Sequence, residues 1–495
     1  MYILVLESST ASAKAMLYDT ADSSRVVRSQ AYRQTGADTG KRDVEGVFQE
    51  TADLGRELAT GKDVAAIALS CTWHSLLLCG QDMSPRTPVY LWSNTEASEL
   101  CGKLRKDTAY TRSYYQKTGC MVNAIYPFFK LKLLAQQGYD LTRHRILGQG
   151  SYNTFRLTGE WVVTDAVASG SGLMDIRAKT FDPELLRELG IKDINLGRLA
   201  TYKETLPLSK EGAAMLGLSP GIPVIAAMPD GALNQVGSGA MAEGVMTLSL
   251  GTSGAMRLTV SRPVMPDTPG AWCYLGPDTW LSGAATSGCC NCVDWFRDSL
   301  CGGEASYATL DAEAAGQVGD TPVFLPFLYG ERCPGWQDDR RGGFLHVMPS
   351  HTRGSLYRGL LEGILFNLYQ CYQLLCGVHG TPDQIRLSGG IANSPFWTQM
   401  CADVFGHEMD MDDEMHASMM GGVRLASRIL GIAAGAGSVG DTGIAGAADI
   451  AEGAGNLDSG CDSGVSGRRI TPNPEATKTY REKYSRYLEY YDKAL

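Results

Sequence analysis

The feature that most limits how this chain can fold is a pattern that occurs twice. An apolar run, Tyr2–Leu6, ends in the hydroxyl-rich segment Glu7-Ser8-Ser9-Thr10-Ala11-Ser12, and a second apolar run, Lys14–Tyr18, closes at Asp19. Two short β-prone runs joined by small polar residues predict a β-hairpin with a polar tip. Far downstream the same design returns as Val245–Leu250, Gly251-Thr252-Ser253-Gly254 and Ala255–Val260. Such a repeat predicts a duplicated architecture, one copy opening each half. Between and after the hairpins, strand-like runs (Val64–Leu69, Val224–Ala227, Gln384–Leu387) alternate with helical spacing (Phe128–Gln137, Pro183–Leu189, Leu356–Leu375, Ser394–Phe405, Met419–Leu430). That alternation predicts α/β layers. Residues 431–467 are rich in Gly, Ala and Ser and read as a loose loop. Pro474–Leu495 carries Tyr, Lys and Glu at helical spacing and reads as a solvated C-terminal helix.

With 495 residues, the chain has room for two large domains. Its formal net charge of −10 and the absence of a basic run exclude the electrostatic footprint of a nucleic-acid binder. The apolar run at Tyr2–Leu6 is too short for a signal-peptide core, and no stretch approaches a membrane helix in length. A cytoplasmic protein with no membrane partner and reduced thiols is therefore expected. Of the 14 cysteines, Cys289, Cys290 and Cys292 stand together. A zinc or redox site would need a second such pair or a His pair, so small packing residues are the better reading.

Three constellations carry chemistry. Turns of Ser, Thr and Gly between strands can aim backbone N–H groups and hydroxyls at a phosphate, and two facing turns would clamp a triphosphate. Hydroxyl-rich tips are also ordinary hairpin chemistry, and Lys14 is either a positive charge for the first turn or a solvated strand residue. Asp230 follows a buried strand and precedes Gly231. A carboxylate at the end of a strand can accept a proton from a hydroxyl nucleophile; a plain Asp-Gly turn is the alternative. Gly389-Gly390, with Asn393 beyond, would let a backbone approach a flat ring or a phosphate, or simply turn a strand into a helix.

The order and spacing of these features resemble the FGGY carbohydrate kinases, which share the two-domain ATPase fold of actin and hexokinase. The likeness runs from about residue 2 to 430. It is carried by ESSTASAKAMLYD (7–19), SCTWHSLL (70–77), LTGEWVVTDAVASGSGL (157–173), DGALNQVGSGA (230–240), GTSGAMR (251–257), LPFLYGERCPGW (325–336) and SGGIANSPFWTQMCAD (388–403). Within the family the chain looks most like the gluconate kinases.

The resemblance implies an α/β protein of two ribonuclease H-like domains with an interdomain cleft, residues 1–240 and 241–495. The activity it implies is transfer of the ATP γ-phosphate, with Mg²⁺, to a hydroxyl of a small carbohydrate such as a sugar acid, ketose or polyol. Asp230 would be the general base. Thr10, Ser12 and Lys14 would face the phosphates from one side, and Gly251, Thr252 and Ser253 from the other. Gly389, Gly390 and Asn393 would border the adenosine. Trp73, His74, Asn94, Tyr126, Asp230 and Gly231 would line the sugar pocket. Glu7 and Asp230 would organise Mg²⁺, through water if not directly. A homodimer is one option for the assembly. Departures from the family pattern cluster at Glu7 (usually Asp), Ser9 (usually Gly), Asn94, Glu96 (where the family often has Arg), Thr286-Ser287-Gly288-Cys289 and His416. They put gluconate in doubt and leave a second reading, a nucleotide-binding regulator or scaffold on the same fold.

Overall fold

The computed structural model describes residues 1–33, 40–317, 319–412, 414–432 and 468–493. Most of the Gly-rich segment expected as a loop, residues 433–467, lies outside the described residues.

Two mixed sheets organise the chain. The first contains β1 (Tyr2–Ser8), β2 (Ser12–Asp19), β3 (Arg25–Ala31), β4 (Val64–Cys71), β5 (Thr205–Pro207) and β6 (Pro223–Pro229), in the order β5-β6-β4-β1-β2-β3. The second contains β7 (Val245–Leu250), β8 (Gly254–Val260), β9 (Trp272–Gly276), β10 (Thr279–Thr286), β11 (Gln384–Gly389), β12 (Met409–Met411) and β13 (Arg469–Ile470), in the order β9-β10-β8-β7-β11-β12-β13. In each sheet the opening hairpin is antiparallel, and its first strand then pairs in parallel with a later strand: β1 with β4, β7 with β11. A further parallel strand follows in each, β6 beside β4 and β12 beside β11. The expected duplication is thus visible in topology. β1 is buried from Ile3 to Ser8, because both faces of the sheet are covered; hence its unbroken apolar run.

Among the helices that join or brace these sheets are α1 (Asp230–Gly237), α2 (Arg353–His379), α3 (Pro395–Phe405), α4 (Ala417–Leu430) and α5 (Pro474–Lys493). Helix α1 follows β6, yet its Gln235 is bonded into the second sheet. Thr247 Oγ1 donates to Gln235 Oε1 at 2.7 Å, and Gln235 Nε2 donates to the Ala240 carbonyl at 2.7 Å. Helix α4 comes from the other half but packs Met419 and Val423 against Ile3, Val5, Ala66 and Ala68 of the first sheet. The two helices cross where only glycine fits. A Cβ on Gly237 would stand 1.7 Å from the Ala417 carbonyl oxygen, and one on Gly421 2.1 Å from that of Leu233.

The C-terminal helix corrects the expectation of a solvated tail. Tyr480, Tyr484, Tyr487 and Tyr491 of α5 form a buried stripe, and the first three pack around Phe366 of α2. A tyrosine face is apolar enough to dock while its hydroxyls find partners, and this is the property that polar composition conceals. Among the described residues no helix is long and apolar enough to cross a membrane.

Candidate functional site

Parallel strand register builds the floor of the site. Glu7 of β1 stands opposite Ser70 of β4, and Met228 and Pro229 of β6 stand opposite Ser70 and Cys71. The carboxyl ends of three adjacent strands therefore bring Glu7, Ser70 and Asp230 together, as expected for ligand sites in open α/β sheets. Asp230 is the first residue of α1 rather than part of a simple turn, and it accepts the Gly231 N–H at 2.7 Å.

Glu7 is buried and fully engaged. Lys14 donates to its Oε1 at 2.8 Å; Ser70 donates to its Oε2 at 3.0 Å, and Ser418 of α4 donates to the same oxygen. Burial pushes the Glu7 carboxyl up, but the Lys14 ammonium and the two hydroxyls outweigh it and hold it below the usual carboxylate range. Asp230 is pushed the other way, up to about 6, first by desolvation and then by the Glu7 charge, against the pull of Arg257. Two neighbouring carboxylates thus differ, one locked as an anion and one poised near neutrality.

In the first turn, Ser9 closes its own loop: its hydroxyl donates to the Ser12 carbonyl at 2.7 Å. The serine that replaces glycine is therefore used internally. Thr10 accepts from the Trp92 indole at 3.0 Å, which leaves its own hydroxyl proton free to point elsewhere. In the second turn a Cβ on Gly251 would have nothing closer than 3.9 Å, whereas one on Gly254 would strike Leu368 and Thr286 at 2.7 Å. Thr252 is exposed and Ser253 half-buried. Because β7 and β11 are parallel, Leu250 stands opposite Gly389, and the second turn and Gly389-Gly390 share one sheet edge. Gly389 has φ +95°, and a Cβ there would lie 2.4 Å from the Leu250 carbonyl oxygen, so glycine is required on both counts. Gly390 and Asn393 are exposed beside it.

The residues expected around a sugar form an aromatic box. Trp73 donates its indole N–H to the Ala166 carbonyl at 2.9 Å, and His74 Nδ1 bonds the Gly170 carbonyl at 2.6 Å. His74 has φ +66°, a strained backbone for a non-glycine residue and a feature that clusters at functional sites. Burial drives its pKa down to about 3, so the ring is neutral, with Nδ1 the donor and Nε2 left as an acceptor. Tyr126 packs edge-on to His74 at 5.1 Å and shares a 2.7 Å hydroxyl–hydroxyl bond with Tyr274. Asn94 is buried beside Gly40, and its Oδ1 has no partner among the described residues; no contact ties it to the box. Glu96 is exposed and paired with Lys41, so the anion introduced there does not line the pocket.

Several participants were not anticipated. Trp272 and Tyr274 of β9 come from the second half of the chain, stacked at 4.4 Å, and Tyr274 lies 5.2 Å from Trp73. Arg257 of β8 lies against Gly231, where a Cβ would stand 3.0 Å from its Nε. Arg332 sits over the Trp92 ring at 5.5 Å. Both arginines close motifs recognisable in the sequence, GTSGAMR and the GER of 330–332, but nothing local assigns them a task. Cys289 and Cys292 are buried, and Cys290 is half-buried with its thiol on the Leu250 carbonyl at 3.5 Å. Among the described residues no group of three or more potential metal-ligating His, Cys, Asp or Glu side chains occurs.

Comparison with known proteins agrees with this geometry. The sequence profile of the N-terminal domain of the FGGY family of carbohydrate kinases matches residues 2–237, and that of its C-terminal domain matches residues 246–430. The gluconokinase of Bacillus subtilis (strain 168) is 27% identical over 444 residues, which cover 85% of this chain and 86% of that protein. The xylulose kinase of Escherichia coli (strain K12) is 26% identical over 357 residues, 70% of this chain and 72% of that protein. Among solved structures, the ligand-bound xylulose kinase of Lactobacillus acidophilus superposes with a TM-score of 0.86 at 26% identity, covering 99% of this chain and 98% of that one. The gluconate kinase of the same organism also gives 0.86, at 25% identity, covering 99% and 97%.

Proposed function

We propose how phosphorylation proceeds in this chain, which belongs to the FGGY family of carbohydrate kinases and is an ATP-dependent sugar phosphotransferase. The substrate is a small carbohydrate, and Asp230 is the base that takes the proton from its attacking hydroxyl. The observation that carries this assignment is the opposed environment of the two carboxylates. Glu7 is held ionised by Lys14, Ser70 and Ser418, whereas Asp230 lies beside it with its pKa raised to about 6. A base near neutrality accepts a proton and releases it again, which suits its use at physiological pH.

The chain's other residues position the reactants. Gly251, Thr252 and Ser253, with Thr10, Ser12 and Lys14, hold the phosphates; Gly389, Gly390 and Asn393 border the adenosine. Trp73, His74 and Tyr126 hold the sugar, with His74 Nε2 as a hydrogen-bond acceptor for a hydroxyl, and Asn94 offers its unpartnered Oδ1 from outside the box. We divide the chain functionally at residue 240, with a cytoplasmic setting and a homodimer as one option for the assembly.

The donor set fits a magnesium ion. The oxygens near Asp230 are carboxylates and hydroxyls, and Mg²⁺ takes one or two carboxylates together with substrate phosphates and water. Glu7 and Asp230 would organise it through water, Glu7 because Lys14 and two serines already occupy its oxygens and Asp230 because it must stay open to the substrate's proton. When bound, the ion neutralises charge on the transferring phosphoryl group.

Asp230→Asn is expected to cut kcat by about 10²–10⁴-fold while ATP affinity is retained. ADP release with Mg-ATP and a panel of aldonates, ketopentoses and polyols measures the first, and nucleotide titration the second. Full turnover in that variant would remove Asp230 from the role.

A further inference from the structure

Among the described residues, two guanidinium groups in the pocket have no ion-pair or hydrogen-bond partner. Among the described residues, neither the Arg257 nor the Arg332 side chain makes a salt bridge or donates a hydrogen bond, and the Nε of each is buried without an acceptor. Elsewhere in the chain a buried Nε without an acceptor does not by itself leave an arginine unpaired, as Arg340 shows. Arg340 pairs with Glu331 at 2.9 Å, and Arg358 pairs with Glu362 at 3.1 Å. A half-buried cation without a counter-ion is costly, and a second one nearby adds repulsion. Arg332 does depress the Arg257 pKa, after desolvation, so the two fields overlap. The one carboxylate acting on Arg257 is Asp230, which the reaction needs free to take a proton.

The surroundings say what is missing. Arg257 and the Trp73 ring both pack against Gly231: a Cβ there would stand 3.0 Å from Arg257 Nε and 2.5 Å from Trp73 Cζ3. Arg332 acts electrostatically on His74, Tyr126 and Tyr274. Arg257 therefore borders the aromatic sugar box by contact, and Arg332, seated over Trp92, is near enough for its charge to reach it. Planar guanidinium groups suit a carboxylate, which they bind through paired N–H donors. Glu96, the anion that weighed against an acidic substrate, is at the surface and paired with Lys41.

We infer that Arg257 and Arg332 together receive the carboxylate of the substrate, and that this kinase acts on a sugar acid in preference to a neutral ketose or polyol. The inference rests on the kinase reading and narrows it. The alternative source of negative charge is the ATP phosphate chain, and the experiment separates the two.

The test compares D-gluconate and other aldonates with D-glucitol and D-xylulose on the full chain, by kcat/KM with Mg-ATP and by calorimetry without nucleotide. The acid is expected to be favoured by at least about 100-fold in both, the scale set by a desolvated charge pair. Arg257→Met and Arg332→Met should each collapse the acid-to-neutral ratio and leave the KM for ATP within about threefold, since only the substrate contact is lost. Equal or better use of xylulose or glucitol by the unaltered chain would overturn the inference while the kinase reading stands. So would variants that lose all substrates alike and raise the KM for ATP, which would assign the arginines to phosphate. If the variants do not fold, the ratio measured on the unaltered chain decides. If nothing turns over, the kinase reading has failed, and gluconate binding in calorimetry still decides the carboxylate site.

Discussion

At the scale of single residues, the site is a set of charges whose environments differ. Asp230 works as a base only when ionised, so kcat/KM is expected to fall as pH drops through about 6, with a single inflection in a pH–rate profile. Lys130 offers a separate test on stability. It is buried, donates to the Ile125 carbonyl at 2.6 Å, and burial lowers its pKa to about 7. In the unfolded chain a lysine titrates near about 10.4, so between these values the unfolded state binds the extra proton and stability rises with pH. Lys130→Met should abolish that contribution, and urea unfolding of both proteins at pH 7 and 9 would show the gap between them changing. The place of Asp230 at a strand end was legible in the sequence, because a buried run followed by Pro-Asp-Gly is a local pattern, whereas its role as base is implied only by the family resemblance. Arg257 and Arg332 were not. They belong to a strand interior and a loop, and their importance lies in lacking a partner, which only three-dimensional contacts reveal.

At the scale of elements, the surprise is how far the last helix reaches into the site. Tyr491 of α5 donates to Glu331 Oε1 at 2.6 Å, Arg340 donates to the Tyr491 carbonyl, and Glu331 is the neighbour of Arg332. The tail therefore clasps the loop that carries a pocket arginine. Tyr491→Phe removes one donor to a buried carboxylate and is expected to cost about 1–3 kcal/mol, read from thermal unfolding. The KM for the carbohydrate should rise as the loop loosens, with the KM for ATP little changed. The tyrosine spacing at 480, 484, 487 and 491 was plain in the sequence. Its burial was not, because the Lys and Glu residues between them dominate the composition and a hydropathy reading averages over both faces of a helix. The hairpins, by contrast, were readable almost to the residue, since turn chemistry is local.

At the scale of the molecule, the pocket is built from both halves. The edge strand β9 of the second sheet is stapled to the first half: the Cys273 N–H donates to the Gly119 carbonyl at 3.0 Å, the Leu275 N–H to Ser169 Oγ at 2.9 Å, and the Tyr115 hydroxyl to the Ala271 carbonyl at 2.7 Å. Sequence reasoning placed the sugar mainly on the first half and named no residue of the second for it, missing Trp272 and Tyr274, because strand residues disclose which sheet they join but not what that sheet's edge will touch. The duplicated topology was legible from two turns; the way the copies grip each other was not. That grip has a consequence for how the halves relate. Helix α1 keeps Leu233 and Val236 in the first sheet's apolar cluster and sends only Gln235 to Thr247 of the second, whereas α4 returns from the second half to cover Ile3, Val5, Ala66 and Ala68. Cut between the sheets, the first would lose the helix that covers Ile3, Val5, Ala66 and Ala68, so the two repeats are better described as halves sealed by one borrowed helix than as two bodies joined by a tether.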